Sequence, residues 1–146
     1  MNRSTLFALL FALPFLLTAL AHADNLFIVT QISDGDSITC QGCGITFKLR
    51  LAGIDAPEED FRGRSGQPYA EQARKFLQGL VLKKQVTIEQ VGLDGFNRVL
   101  GIVYVSSQNI NLEMVGQGYA EVYRGKHSFD IRPFWNAEEE ALTARK

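Results

Sequence analysis

Phe47-Lys48-Leu49-Arg50-Leu51-Ala52-Gly53-Ile54-Asp55-Ala56-Pro57-Glu58 is the stretch from which the rest of the chain can be read. Phe47, Leu49 and Leu51 alternate with Lys48 and Arg50, the pattern of a strand with one buried face. Arg50 therefore points away from the apolar row. On strict alternation, Asp55 faces opposite to Arg50. The two line one site only if the strand ends or bulges between them, and Gly53 is the residue that permits it. Ala56 precedes Pro57 and is pushed toward an extended conformation, which leaves its carbonyl available as a ligand. Arg50, Asp55 and Glu58 thus bring one cation and two carboxylates to a strand end, where a rigid scaffold can present polar groups to a ligand.

Working upstream, Leu26–Ser33 reads as a strand. Asp34-Gly35-Asp36 interrupts it, and Ser37–Cys40 resumes it. Gly35 inside a strand pattern suggests a bulge that re-aims a side chain; an ordinary polar turn is the plainer reading. Cys40–Gly44 turns the chain into the Ile45–Leu51 strand. Downstream, Glu59–Gly66 is loop, and Pro68 suits the first turn of a helix. Ala70, Ala73, Leu77 and Leu80 recur at helical spacing. Lys83–Val91 is a strand, Gly92-Leu93-Asp94-Gly95 a hairpin turn, and Arg98–Val105 another strand. A helix over Ile110–Ala120 has Gly118 near its C-terminus. Glu121–Pro133 is irregular, and Phe134–Lys146 is a final helix. Strands, helix, strands and helices in that order favour a small barrel over a parallel sheet.

The chain has 146 residues and a formal net charge of −1. Arg3 is the only charge in residues 1–23; the apolar run Leu6–Leu20 and then Ala21-His22-Ala23 follow it. That is the layout of a cleaved export leader, and the run is shorter than the roughly 20 residues needed to span a bilayer. The expected organisation is a signal peptide over 1–23 and one domain over 24–146, exported to a periplasmic or extracellular location. The remaining 123 residues carry 14 Lys and Arg against 16 Asp and Glu. Such a balance argues against a protein that holds nucleic acid by bulk positive charge. An anion must be held by a few placed cations or by a metal.

Cys40 and Cys43 are the two cysteines. In an exported chain a local structural disulfide is the expectation. A redox pair should sit just before a helix, whereas Gly42, Gly44 and the flanking strand-like residues suggest a hairpin tip. A zinc site would need two further ligands.

Asp36, Asp55 and the Ala56 carbonyl would give a hard cation such as calcium part of an oxygen shell, with places left for water and a phosphate oxygen. Glu58 is a candidate general base for a water nucleophile. Arg50 and Arg98 are candidates to hold the charge that builds on a phosphoryl group.

Three motifs carry a family resemblance: Ile32-Ser33-Asp34-Gly35-Asp36-Ser37, the Phe47–Glu58 stretch, and Asn97-Arg98-Val99-Leu100-Gly101-Ile102-Val103-Tyr104. A weaker match runs from Asn111 to Ala120. Together they resemble the staphylococcal-nuclease-like (thermonuclease) family, over about residue 26 to the C-terminus. The resemblance implies a five-stranded OB-fold barrel with about three helices, α+β and mainly β. It implies one Ca2+ ion held by Asp36, Asp55 and Ala56, with Arg50, Glu58 and Arg98 as catalytic residues. The implied activity is calcium-dependent endonucleolytic hydrolysis of DNA and RNA that leaves 3′-phosphate ends. The rival reading is a non-catalytic OB-fold module that binds single strands. A monomer without stable membrane association is expected.

Departures from the family pattern are the acidic charge balance, Arg124 near a place where the best-known member has a base-stacking tyrosine, and the end of the chain. Tyr123 or Tyr119 is the expected substitute for that tyrosine. In many relatives the last helix continues into a Gly-Leu-Trp segment that packs on the barrel, so a chain stopping at Arg145-Lys146 is expected to be less stable than an extended one.

Overall fold

A computed structural model describes residues 26–60 and 63–146; the expected leader lies outside the described residues. In chain order the elements are β1 (Leu26–Asp34), β2 (Ser37–Gly42), β3 (Ile45–Leu51), β4 (Ile54–Asp55), α1 (Ala70–Val81), β5 (Gln85–Leu93), β6 (Val99–Val105), β7 (Gln108–Asn109), α2 (Ile110–Gly116), β8 (Glu121–Val122) and α3 (Arg132–Thr143). Antiparallel pairs run β3-β2-β1-β5-β6. Parallel pairing of Leu49–Leu51 with Val99–Gly101 then joins β3 to β6. Five strands close on themselves, which removes the unpaired edges that invite aggregation. This is the expected five-stranded OB-fold barrel with three helices.

The barrel interior follows from the alternation read in the sequence. Val29, Ile38, Leu49, Leu51, Val86 and Val103 are at most 1 % exposed. Ala73, Leu77 and Val81 of α1, and Ile110, Met114 and Val115 of α2, join the same core. Each large aliphatic side chain contributes about 1.5–3 kcal/mol relative to exposure. Asn111 is the polar exception inside. Its Nδ2 donates to the carbonyls of Ala52 and Gly101, and its Oδ1 accepts from Val103 N, all within 2.9–3.0 Å. One buried amide therefore ties the end of β3 to β6 and α2 with every polar atom satisfied.

Four details correct the sequence reading. First, Gly35 is not a bulge inside a strand. Asp34 pairs with Ser37, so Gly35 and Asp36 form a two-residue hairpin loop, and the register slips just before it, between Ile32 and Asp34. A Cβ at Gly35 would stand 2.7 Å from Ala56 Cβ and 2.9 Å from Ala73 Cβ. The glycine lets the loop, the Ala56 segment and α1 meet.

Second, β4 and β8 form a short antiparallel ladder that the sequence did not reveal, with Asp55 opposite Glu121. Two-residue strands leave no periodicity to read. Third, α2 stops at Gly116, before the expected Ala120. Gly118 at φ +76° reverses the chain, and Tyr119 N donates to Met114 O across 2.9 Å, a Schellman-type end.

Fourth, both cysteines are free thiols, against the expected crosslink. Cys40 faces the barrel core opposite Phe47, whereas Cys43 sits exposed in the turn at φ +52°. The two side chains belong to different environments. No helix among the described residues is long and apolar enough to cross a membrane.

Candidate active site

Gly53 does what its place in the sequence requires. It adopts φ +79°, and Phe129 Cζ would lie 2.9 Å from any Cβ there. Such a conformation suits glycine and strains other residues. The turn ends β3 and re-aims the chain, so Arg50 and Asp55 meet after all: Arg50 Nη2 lies 2.8 Å from Asp55 Oδ1.

Arg50 also holds Asp36. Its Nη1 donates to Oδ1 across 3.1 Å and its Nη2 lies 2.9 Å from Oδ2. Asp36 comes from the β1–β2 loop, Arg50 from β3 and Asp55 from β4. Three separate elements converge on one guanidinium. Asp36 accepts two further hydrogen bonds, from Ser37 Oγ at 2.9 Å and from Ala56 N at 3.2 Å.

Arg98 reaches the same group from the β5–β6 turn. Its Nη1 donates to Ser37 Oγ across 3.1 Å, so Asp36 and Arg98 are linked through one hydroxyl. Asp94 sets that turn. Its Oδ1 accepts from Phe96 N and Arg98 N, and its Oδ2 accepts from Arg98 Nε across 2.6 Å. Asn97, at φ +63°, completes the turn. Asp94 was read in the sequence only as a turn residue. Its acceptor role toward Arg98, four positions on, is a signal that Asp-Gly-x-x-Arg carries but that alone is weak.

Arg50, Glu58 and Arg98 line one open cleft of about 660 Å3. Phe96 and Tyr123 stand in its wall, with Phe96 84 % exposed. Lys126, His127, Ser128 and Phe129 also line it. That loop is fixed: Ser128 Oγ donates to Val91 O, and His127 Nε2 lies 2.9 Å from Tyr123 O. Tyr123, His127, Phe129 and Phe134 form a chain of edge-on rings 5.6–6.0 Å apart. Exposed Phe96 was missed, because an aromatic in a turn has no pattern to mark it. Glu58 is exposed; its backbone is held to Gln67 by reciprocal bonds of 2.8 and 2.9 Å, leaving the carboxylate to the cleft. Arg124, by contrast, lies over the Trp135 ring and pairs with Glu138, and does not line the cleft.

The electrostatics are set by burial. Burial pushes the Asp36 carboxyl up to about 7; Arg50 and the bonds from Ala56 N and Ser37 pull it down, and neighbouring Asp34 pushes it up. Burial by itself would lower Arg50, but Asp36 and Asp55 outweigh that and hold it above its ordinary range. Among the described residues no group of three or more His, Cys, Asp or Glu gathers as a ready metal cage. Asp36 and Asp55 nevertheless converge on one cation, and both are oxygen donors, a set that fits a hard divalent ion completed by a carbonyl and water.

The fold and cleft define a class: a small OB-fold barrel that presents two arginines and an exposed glutamate beside paired aspartates at its strand ends. The chain belongs to the staphylococcal nuclease family, since the family model described as "Staphylococcal nuclease homologue" matches residues 48–146. An "Uncharacterized endonuclease" of Haemophilus influenzae is 40 % identical over 124 residues, covering 84 % of this chain and 66 % of its own. A "Probable endonuclease LCL3" of Komagataella phaffii is 37 % identical over 90 residues, covering 59 % of this chain and 40 % of its own. The protein of that name in Vanderwaltozyma polyspora is 40 % identical over 95 residues, covering 61 % and 34 %. The chain therefore spans under two-thirds of the length of these three relatives. Asp36 lies before the family match begins, and the β1–β2 hairpin is what brings it to Arg50, which lines the cleft.

Proposed function

We propose that the chain is an exported endonuclease that hydrolyses phosphodiester bonds of DNA and RNA with calcium as its metal, and leaves 3′-phosphate ends. The observation that carries this reading is the convergence of Arg50, Glu58 and Arg98 on one cleft, with Asp36 tied to both arginines. The names of the relatives support nuclease chemistry.

In this reading Arg50 and Arg98 grip the equatorial oxygens of the scissile phosphate. Arginine forks match phosphoryl geometry and stabilise charge where it develops. Glu58, exposed in the cleft and without a side-chain partner among the described residues, takes the proton of the attacking water as the new P–O bond forms. The bond to the 5′ oxygen breaks, that oxygen takes up a proton from solvent to become a hydroxyl, and the phosphate stays on the 3′ side. Asp36, Asp55 and the Ala56 carbonyl would hold the ion, and a bound calcium would polarise the phosphoryl oxygen. Phe96 and Tyr123 offer flat faces for a base, which every nucleotide can use. Phosphate grip and ring stacking do not depend on the sugar, so both DNA and RNA are accepted. The chain works as a monomer and is released from the membrane once its leader is removed.

The test is digestion of single-stranded DNA by the purified mature protein, with calcium and with a chelator. The expected result is cutting only with calcium, giving ends that lose phosphate to a 3′-phosphatase. Tight binding without cutting would establish the non-catalytic module instead.

A further inference from the structure

A second cleft, of about 410 Å3, adjoins the first at the Arg50–Asp55 contact. Asp55, Ala56 and Pro57 form one side, and Tyr69, Tyr119 and Glu121 lie around it. The segment 55–58 is the wall between the clefts: Pro57 faces the second, Glu58 the first.

Two tyrosines line this space, in different states. Tyr119 is half-buried and stacked on Phe76, with centroids 4.3 Å apart and planes 19° apart. It is a fixed wall. Tyr69 is 73 % exposed and makes no side-chain hydrogen bond among the described residues. It stands just before α1 at φ +68°, in the left-handed region. An L-residue pays a free-energy cost there that glycine would avoid. The backbone needs only its carbonyl, which accepts from Ala73 N. The tyrosine ring therefore contributes nothing evident to the fold, and the position disfavours it.

We propose that Tyr69 is a stacking platform for a nucleotide base, so that the second cleft receives the nucleotide on the other side of the scissile phosphate from the Phe96–Tyr123 wall. The proposal rests on the nuclease reading for the place of the phosphate. A strand gripped at Arg50 has a neighbour on each side, and the two clefts meet there. Glu121 accepts hydrogen bonds and repels anions, so this cleft takes the base while the phosphates stay with the arginines. An exposed ring at a groove edge is what sequence-tolerant stacking uses.

The test uses the Glu58→Gln protein with calcium, so that the strand survives. It is titrated with single-stranded oligonucleotides carrying 2-aminopurine at successive interior positions. Tyr69→Ala added to that protein should weaken binding by about tenfold and abolish the fluorescence quench at one position. Tyr69→Phe should keep both. Tyr69→Gly should bind as weakly as Tyr69→Ala but melt higher than the parent. Unchanged binding and quench in Tyr69→Ala, or a lower melting point in Tyr69→Gly, would overturn the proposal. Quenching at Tyr69 with no cutting by the wild-type protein would remove the nuclease reading and leave the stacking site standing.

Discussion

Arg50 and Asp36 face each other as a two-pronged pair: Nη1 to Oδ1 at 3.1 Å and Nη2 to Oδ2 at 2.9 Å. The pair joins β3 to the β1–β2 loop, and the same guanidinium holds Asp55. Structure and proposed chemistry share one side chain. Lysine has the charge but not the planar fork. Arg50→Lys should lower the cutting rate by about a hundredfold or more. It should also lower stability by about 1–3 kcal/mol, because Asp36, with a side chain only 4 % exposed, loses a partner. Steady-state rates and urea melts check both, and near-normal turnover would take Arg50 out of the mechanism.

Arg98 depends on Asp94. Three bonds from that carboxylate hold the turn and the guanidinium. Asp94→Ala should release Arg98 and reduce the rate by about tenfold or more, since small misplacement of a catalytic group is costly. Arg98→Lys should lose about a hundredfold. If Asp94→Ala cuts at the wild-type rate, the turn is not what positions Arg98.

Asp36 makes the metal-free protein sensitive to pH. Its carboxyl is raised by burial to about 7 from the 3.8 of an exposed aspartate. Between those values the folded chain holds a proton that the unfolded chain has lost. The contribution to stability is therefore complete below about pH 4 and is lost as pH rises through about 7. Melts of the chelated protein beside Asp36→Asn, at pH 5 and pH 8, read this directly. The stability of wild type relative to Asp36→Asn should fall on going to pH 8. A difference that stays constant or grows would contradict it.

The two thiols should react differently. Burial raises Cys40 to about 12 and removes it from reagents, whereas Cys43 is exposed. Thiolate content and access control reactivity. A thiol reagent should label one cysteine in the native protein and two in urea, and replacing both by serine should leave cutting intact. No labelling in urea without reductant would show the pair crosslinked.

Much of the barrel was legible because alternation marks its strands. Leu49 and Leu51 inward with Arg50 outward is a period that no helix shares. Gly53 was legible for a related reason: an arginine and an aspartate of opposite parity can meet only across a turn. The β4–β8 ladder was hidden, since Ile54–Asp55 and Glu121–Val122 pair across a long separation with nothing local to mark them. Gly35 misled because a glycine demanded by close contact with Ala56 and Ala73 looks the same in sequence as one demanded by a bulge. Phe96 and Tyr69 were passed over because a lone exposed ring has no pattern; only the surrounding cleft gives it meaning. Asp94 was seen as a turn former, and its second task appeared only with Arg98 beside it.

The most direct measurement compares single-turnover cutting of single-stranded DNA, with calcium, by the wild-type protein and by Glu58→Ala. Glu58 is exposed and, among the described residues, is held only through its backbone, so the substitution should leave the melting temperature unchanged. The account predicts efficient cutting by the wild type and a loss of about a hundredfold or more in the variant. A variant that cuts as fast as the wild type, or a wild type that does not cut, would contradict it.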